Sequence, residues 1–251
     1  MKYRDVTLLD LTKDTYVAIT CDSCGGIGDK PHDVVRASPE VVGYETTKVA
    51  LFELLSMKVT PKVIINGLCV EMVPTGQRIL AGIQKALEEL SLEDAVEITG
   101  STEENMPVES TGLSMSIMGV LTKSAFMNRA RTKAKDVAVL FGRPLKGEEF
   151  LAAKKEDVMD LLALQKLLSH EAVIQVVPLG SKGLQIELEA LAKENELAYS
   201  FTDEGAQIKD QSSGPASSVL VTLEEKHLPS VAKAMGKTYG LVAIFKERGE
   251  A

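Results

Sequence analysis

Carboxylates flanking a glycine-containing loop are the residues of this sequence whose types and spacing could do chemistry. Asp22 closes a short apolar, β-rich run, Tyr16 to Thr20. Glu53 sits among apolar neighbours in Leu51-Phe52-Glu53-Leu54-Leu55. Between them lies a long polar loop, Asp22 to Ser38, that carries Gly25, Gly26, Gly28, Asp29, His32 and Asp33. A strand end and a helix would bring two carboxylates toward one mobile loop. That pattern suits Mg²⁺ and phosphate chemistry.

Three other patterns invite chemical readings and lose them on inspection. Cys21-x-x-Cys24 is followed by Gly25-Gly26-Ile27-Gly28, whereas a thioredoxin-like motif opens a helix. A zinc site needs two more ligands, and only Cys69 and His32 are near, without the spacing. The pair therefore reads as small residues at a strand end. Gly25-Gly26-x-Gly28 lacks both GK[ST] and an immediately following helix, so it is not a P-loop. It reads as a flexible segment or as a phosphate or substrate lid. His32, His170 and His227 are scattered, with no Ser or Cys nucleophile motif beside them, so a catalytic triad is not indicated.

The elements that must position the carboxylates follow from periodicity. Asp5 to Leu11 and Tyr16 to Thr20 read as short strands, and Glu40 to Lys58 as a helix with Pro39 near its start. Lys62 to Leu68 is a buried strand, Thr75 to Leu90 an amphipathic helix, and Ala95 to Thr99 a strand before the polar turn Gly100 to Asn105. Leu113 to Leu121 alternates as a half-buried strand does, and Asp136 to Phe141 is a further apolar strand. Gly142 to Gly147 reads as a junction, and helical sequence follows to about His170. Strands at 173–177, 198–201, 217–223 and 241–246, with helices at 183–195 and 225–237, give the ferredoxin-like order βαββαβ. Thr202 to Ser218 is its long connection. The expected architecture is α+β in two halves, residues 1–145 and 146–251.

Composition narrows the partners. The net charge of −8, the absence of Trp and the small aromatic share argue against binding nucleic acid or an anionic membrane surface. Three sparse cysteines and an N-terminus without a long apolar core point to a reducing cytoplasm. No run approaches the length of a membrane span. An acidic protein that handles a polyphosphate needs a metal ion or local Lys and Arg to offset repulsion.

Several segments, in order, resemble one family. Asp5-Val6-Thr7-Leu8-Leu9 is similar to its D-A-A-V-like strand. Ile19-Thr20-Cys21-Asp22 and Ser38 to Gly43 resemble its "TTD" strand end and the "P…IG" that follows. Phe52 to Pro61 resembles "SDLAAMGAxP", and Thr99-Gly100-Ser101-Thr102 resembles the "GGDT" turn, with Met106-Pro107 after it. Arg131 to Asp136 resembles "RxxAKxGD", and Leu179 to Ala192 resembles "DISDGL…EL..LA". On these segments the chain resembles the aminoimidazole-ribonucleotide synthetase-related family, and within it most the α-ribazole kinase branch.

The resemblance implies two α+β halves, a homodimer whose N-terminal halves form an interface barrel, and ATP and Mg²⁺ as cofactors. It implies Asp5, Asp22 and Glu53 on the metal, and Gly100, Ser101, Thr102 and Arg131 on the nucleotide. Asp22 would also serve catalysis, and Asp29 or Asp33 would orient the acceptor hydroxyl, a choice the sequence leaves open. The implied reaction is phosphorylation of α-ribazole or a similar nucleoside. The alternatives are another ATP-dependent enzyme of the family, such as thiamine-monophosphate kinase, or a non-catalytic nucleotide-binding regulator. Ser101, Leu179 and Lys182 stand where the family has acids, and Glu53 stands for its aspartate.

Overall fold

The computed structural model describes residues 1–249. The chain divides into two compact units, Met1–Asn128 and Arg129–Ala251. The division falls ahead of the expected position near 145, because the strand Asp136–Phe141 is the middle of the second sheet.

The first unit is built on a six-stranded sheet. Its strands are β1 (Lys2–Tyr3), β2 (Val6–Asp10) and β3 (Thr15–Gly25), then β6 (Thr60–Leu68), β7 (Glu97–Thr102) and β8 (Gly112–Thr122). A two-residue parallel pair, β4 (Ile27–Gly28) and β5 (Val35–Arg36), closes the loop after β3. The helices are α1 (Pro39–Ser56), α2 (Gln77–Glu89) and the short α3 (Lys123–Met127). The strand order is β1-β2-β3-β8-β6-β7, antiparallel except for the final pair.

Local signals set the helix bounds. Ser38 caps α1 by accepting from the Val41 N–H, Pro39 needs no donor in the first turn, and Glu40 suits the positive helix end. Lys58, in the left-handed region at φ 58°, turns the chain into β6. The segment Met72–Gly76 leads into α2 through a kink at Val73, whose backbone is extended.

Helix α1 lies on one face of the sheet, where the Thr20 hydroxyl donates to the Ala50 carbonyl at 3.1 Å. Helix α2 crosses α1 at glycine contacts. A Cβ at Gly43 would meet the Ile79 carbonyl at 2.1 Å, and one at Gly82 the Glu40 carbonyl at 2.0 Å. Leu51, Leu54, Ile64, Ile79, Ile83, Leu87 and Ile117 form the core between helices and sheet. On the opposite side of the sheet, Leu9 (51% exposed), Ile65 (41%) and Val120 (43%) stay open.

The second unit has a five-stranded, fully antiparallel sheet. In chain order come β9 (Asp136–Phe141), α4 (Gly147–Leu151), α5 (Leu161–Ser169), β10 (Gln175–Pro178), α6 (Leu184–Glu194) and β11 (Leu197–Phe201). Then follow α7 (Asp203–Ile208), β12 (Val219–Glu224), α8 (Leu228–Met235) and β13 (Tyr239–Glu247). The strand order is β10-β12-β9-β13-β11.

The expected βαββαβ succession is present, with β9 added as the central strand and α7 carried by the long connection. Every residue of β9 is buried, so both faces of this sheet are covered at its centre. The Leu184, Leu188 and Leu191 stripe of α6 packs against Leu140, Leu220 and Phe245. No helix among the described residues is long and apolar enough to cross a membrane.

Candidate functional site

Asp22 stands inside β3, paired with Met115, and the strand runs on to Gly25. The expected strand end at Asp22 gives way because β8 supplies ladder partners as far as Gly112. Alternation then divides the segment. Thr20, Asp22 and Cys24 point toward α1, while Cys21 and Ser23 point to the open face. Cys21 is exposed and Cys24 is half-buried. A Cys-x-x-Cys in a strand has its thiols on opposite faces, so the two cannot act as one redox or metal pair. Burial raises the Asp22 carboxyl above its ordinary value, against a hydrogen bond from the Ser23 backbone. Burial also pushes the Cys24 thiol up to about 11; a Thr46 hydrogen bond opposes this, and the nearby Asp22 and Asp33 charges add to it.

The loop from Gly26 to Ala37 is tied down along its length. The buried Asp33 carboxylate accepts from the Lys30 N–H at 3.0 Å, the Ser110 hydroxyl at 3.1 Å, and the Thr111 N–H and hydroxyl, both at 2.7 Å. Burial alone would raise this carboxyl; the hydrogen bonds from Thr111, Lys30 and Ser110 outweigh it and hold it below the ordinary range. Gly28 is required here, since a Cβ would stand 2.2 Å from the Thr111 hydroxyl and 2.4 Å from the Asp33 carboxylate.

Further along, the Lys30 ammonium meets Glu71 at 2.8 Å, and Glu71 also accepts from the Thr75 hydroxyl at 2.5 Å. Burial pushes the Glu71 carboxyl up, but Lys30 and Thr75 prevail and bring it to about 2. The exposed Asp29 pairs with Arg78 at 2.6 Å. The remaining Arg78 nitrogens fork onto Glu40 at 2.7 and 3.0 Å. The segment read from sequence as flexible is thus a hydrogen-bonded bridge between the starts of α1 and α2 and the residues before β8.

Gly100, Ser101 and Thr102 lie within the edge strand β7 and not in a turn, paired with Asn66, Gly67 and Leu68. Gly100 is needed there because the Asn66 side chain crosses over to the Thr99 carbonyl. The Thr102 hydroxyl donates to Glu104 at 2.8 Å, and Glu104 also caps the Met72 N–H. Arg131 is exposed in the second unit, ahead of β9.

Asp5 occupies the exposed turn between β1 and β2, near Lys2 at 3.8 Å. Glu53 is half-buried on α1. The Thr20–Ala50 and Cys24–Thr46 contacts show that α1 runs back along β3. Glu53 therefore lies about 7 Å along the helix from the level of Asp22. Among the described residues, no group of three His, Cys, Asp or Glu side chains is placed to hold a metal ion. Asp5, Asp22 and Glu53 do not make one ligand set within the chain. Sequence reasoning missed Glu71, Arg78, Ser110 and Thr111. An acidic residue just ahead of α2 was the only available signal.

No family model matches the sequence, and no curated protein matches it. Among solved structures, the chain is similar to thiamine monophosphate kinase from Aquifex aeolicus at 16% identity and TM-score 0.61, covering 98% of this chain and 90% of that one. It is also similar to E. coli HypE, a hydrogenase maturation protein, at 11% identity and TM-score 0.65, covering 92% and 80%. A third similar structure is T. maritima PurL complexed with ATP, at 13% identity and TM-score 0.59. That match covers 97% of this chain, which spans only 42% of the PurL chain. The chain has the mixed α+β fold these proteins share.

Proposed function

We propose that this protein is an ATP-dependent small-molecule phosphotransferase acting on α-ribazole or a similar nucleoside. The observation that carries the reading is the match of almost the whole chain, both units included, to thiamine monophosphate kinase. The ATP-bound PurL with the same fold supports ATP as the phosphoryl donor. The motif resemblance supports the choice of acceptor.

Phosphoryl transfer needs positioning and charge neutralisation more than covalent chemistry. The residues of this chain supply the positioning. In this reading Gly100, Ser101 and Thr102 offer the open edge of β7 to nucleotide phosphates. The bridged loop faces the acceptor and excludes water. The half-buried Asp22 stays in the catalytic role. Mg²⁺ enters as the counter-ion of ATP; among the described residues, no three carboxylates converge on a metal position. The open apolar face of the first sheet supports a homodimer.

Ser101, Leu179 and Lys182, which stand where the resembled family has acids, favour a second reading, a nucleotide-binding regulator without turnover. Mg-ATP consumption in the presence of α-ribazole, thiamine monophosphate and ribonucleotides separates the two. The kinase reading expects ADP release that depends on the acceptor. The regulator reading expects a thermal shift with ATP and no ADP release with any acceptor.

A further inference from the structure

Two carboxylates of the bridged loop were equal candidates for orienting an acceptor hydroxyl, and their surroundings now differ sharply. Asp33 is 6% exposed and accepts four hydrogen bonds. An ionised carboxylate has about four lone-pair sites, so its acceptor capacity is filled. Asp29 is exposed and is held through one oxygen, Oδ2, by a guanidinium that Glu40 fixes from the other side.

We propose that Asp33 is a positioning residue that latches the loop 26–37 to residues 110–111, and that Asp29 is the carboxylate this latch presents to the acceptor hydroxyl. The proposal rests on the phosphotransferase reading for the acceptor, but not for the latch. Three of the side-chain ties along the loop differ in strength. The Asp29–Arg78 pair is open to solvent, where ion pairs contribute little. The Lys30–Glu71 pair is more enclosed. The Asp33 tie is buried, and breaking it leaves buried donors unsatisfied. Of the two carboxylates, the Asp29 side chain is therefore the one left open to solvent, as a residue that must meet a substrate requires.

The test uses Thr111→Val, Thr111→Ser, Asp33→Asn and Asp29→Asn. Hydrogen exchange at amides 28–35 is followed without ligand, and steady-state kinetics with Mg-ATP and α-ribazole. Thr111→Val should speed loop exchange by about tenfold, the equivalent of one buried hydrogen bond, while Thr111→Ser should exchange as wild type does. Thr111→Val and Asp33→Asn should raise the KM for α-ribazole and leave the KM for ATP unchanged. Asp29→Asn should lower kcat without altering loop exchange. Wild-type exchange in both Thr111→Val and Asp33→Asn overturns the latch. Wild-type kcat in Asp29→Asn overturns its role toward the acceptor. A loop that loosens in a protein whose wild type consumes no ATP upholds the latch, and removes the phosphotransferase reading together with the part given to Asp29.

Discussion

Asp33 and Glu71 are held in their charged forms by the folded protein. A depressed carboxyl contributes stability that is fully present above its ordinary range and is lost as pH falls through the folded value. For Glu71 that window runs from 4.5 down to about 2, and the Asp33 contribution declines in the same direction. Urea midpoints of the wild type should therefore drop more steeply below pH 4.5 than those of Glu71→Gln; parallel curves would contradict the assignment. Asp22 has the opposite sign. Burial raises its carboxyl, so its charge at neutral pH opposes folding. Asp22→Asn should keep or raise Tm while abolishing acceptor-dependent ADP release. Near-wild-type turnover in that variant removes Asp22 from the site, and a lowered Tm contradicts the sign of its burial effect. At this scale the sequence was partly legible. Asp22 could be singled out as a carboxylate beside apolar strand residues. Whether Asp33 reached substrate or was tied up by Ser110 and Thr111 depended on a partner 78 positions away, which no local pattern encodes.

The elements were more legible than the side-chain partners, because hydrophobic periodicity acts within one segment. The α2 stripe of Ile79, Ile83 and Leu87 and the alternation of β8 both describe what folds. Two misreadings share one cause. Strand β3 outran its apolar stretch, and Gly100 to Thr102 became strand instead of turn, because neighbouring strands supplied hydrogen-bond partners that override local composition. The glycine contacts between α1 and α2 were equally hidden. Gly82→Ala would push a Cβ into the Glu40 carbonyl, and Gly25→Ala would place one in open space. Chemical denaturation should show Gly82→Ala costing about 1–3 kcal/mol, with Gly25→Ala much nearer wild type. Equal costs at the two positions would mean that α1 and α2 do not meet this closely.

At the scale of the whole molecule, the first sheet leaves Leu9, Ile65 and Val120 open on the side away from α1. A homodimer through this face predicts that light scattering gives twice the chain mass for the wild type and the chain mass for Val120→Lys. A wild type that scatters as a single chain at micromolar concentration counts against the dimer. The two-half α+β architecture was legible from the order of strands and helices, whereas the place of β9 in the second sheet was not, since sheet order depends on long-range pairing. The central claim is that this fold is used here for phosphoryl transfer to a small acceptor. Its most direct measurement is ADP release from Mg-ATP by the purified protein, with and without α-ribazole. The account predicts release that rises from background when α-ribazole is added and that disappears in Asp22→Asn. ATP binding without release for α-ribazole, thiamine monophosphate or any ribonucleotide would contradict it.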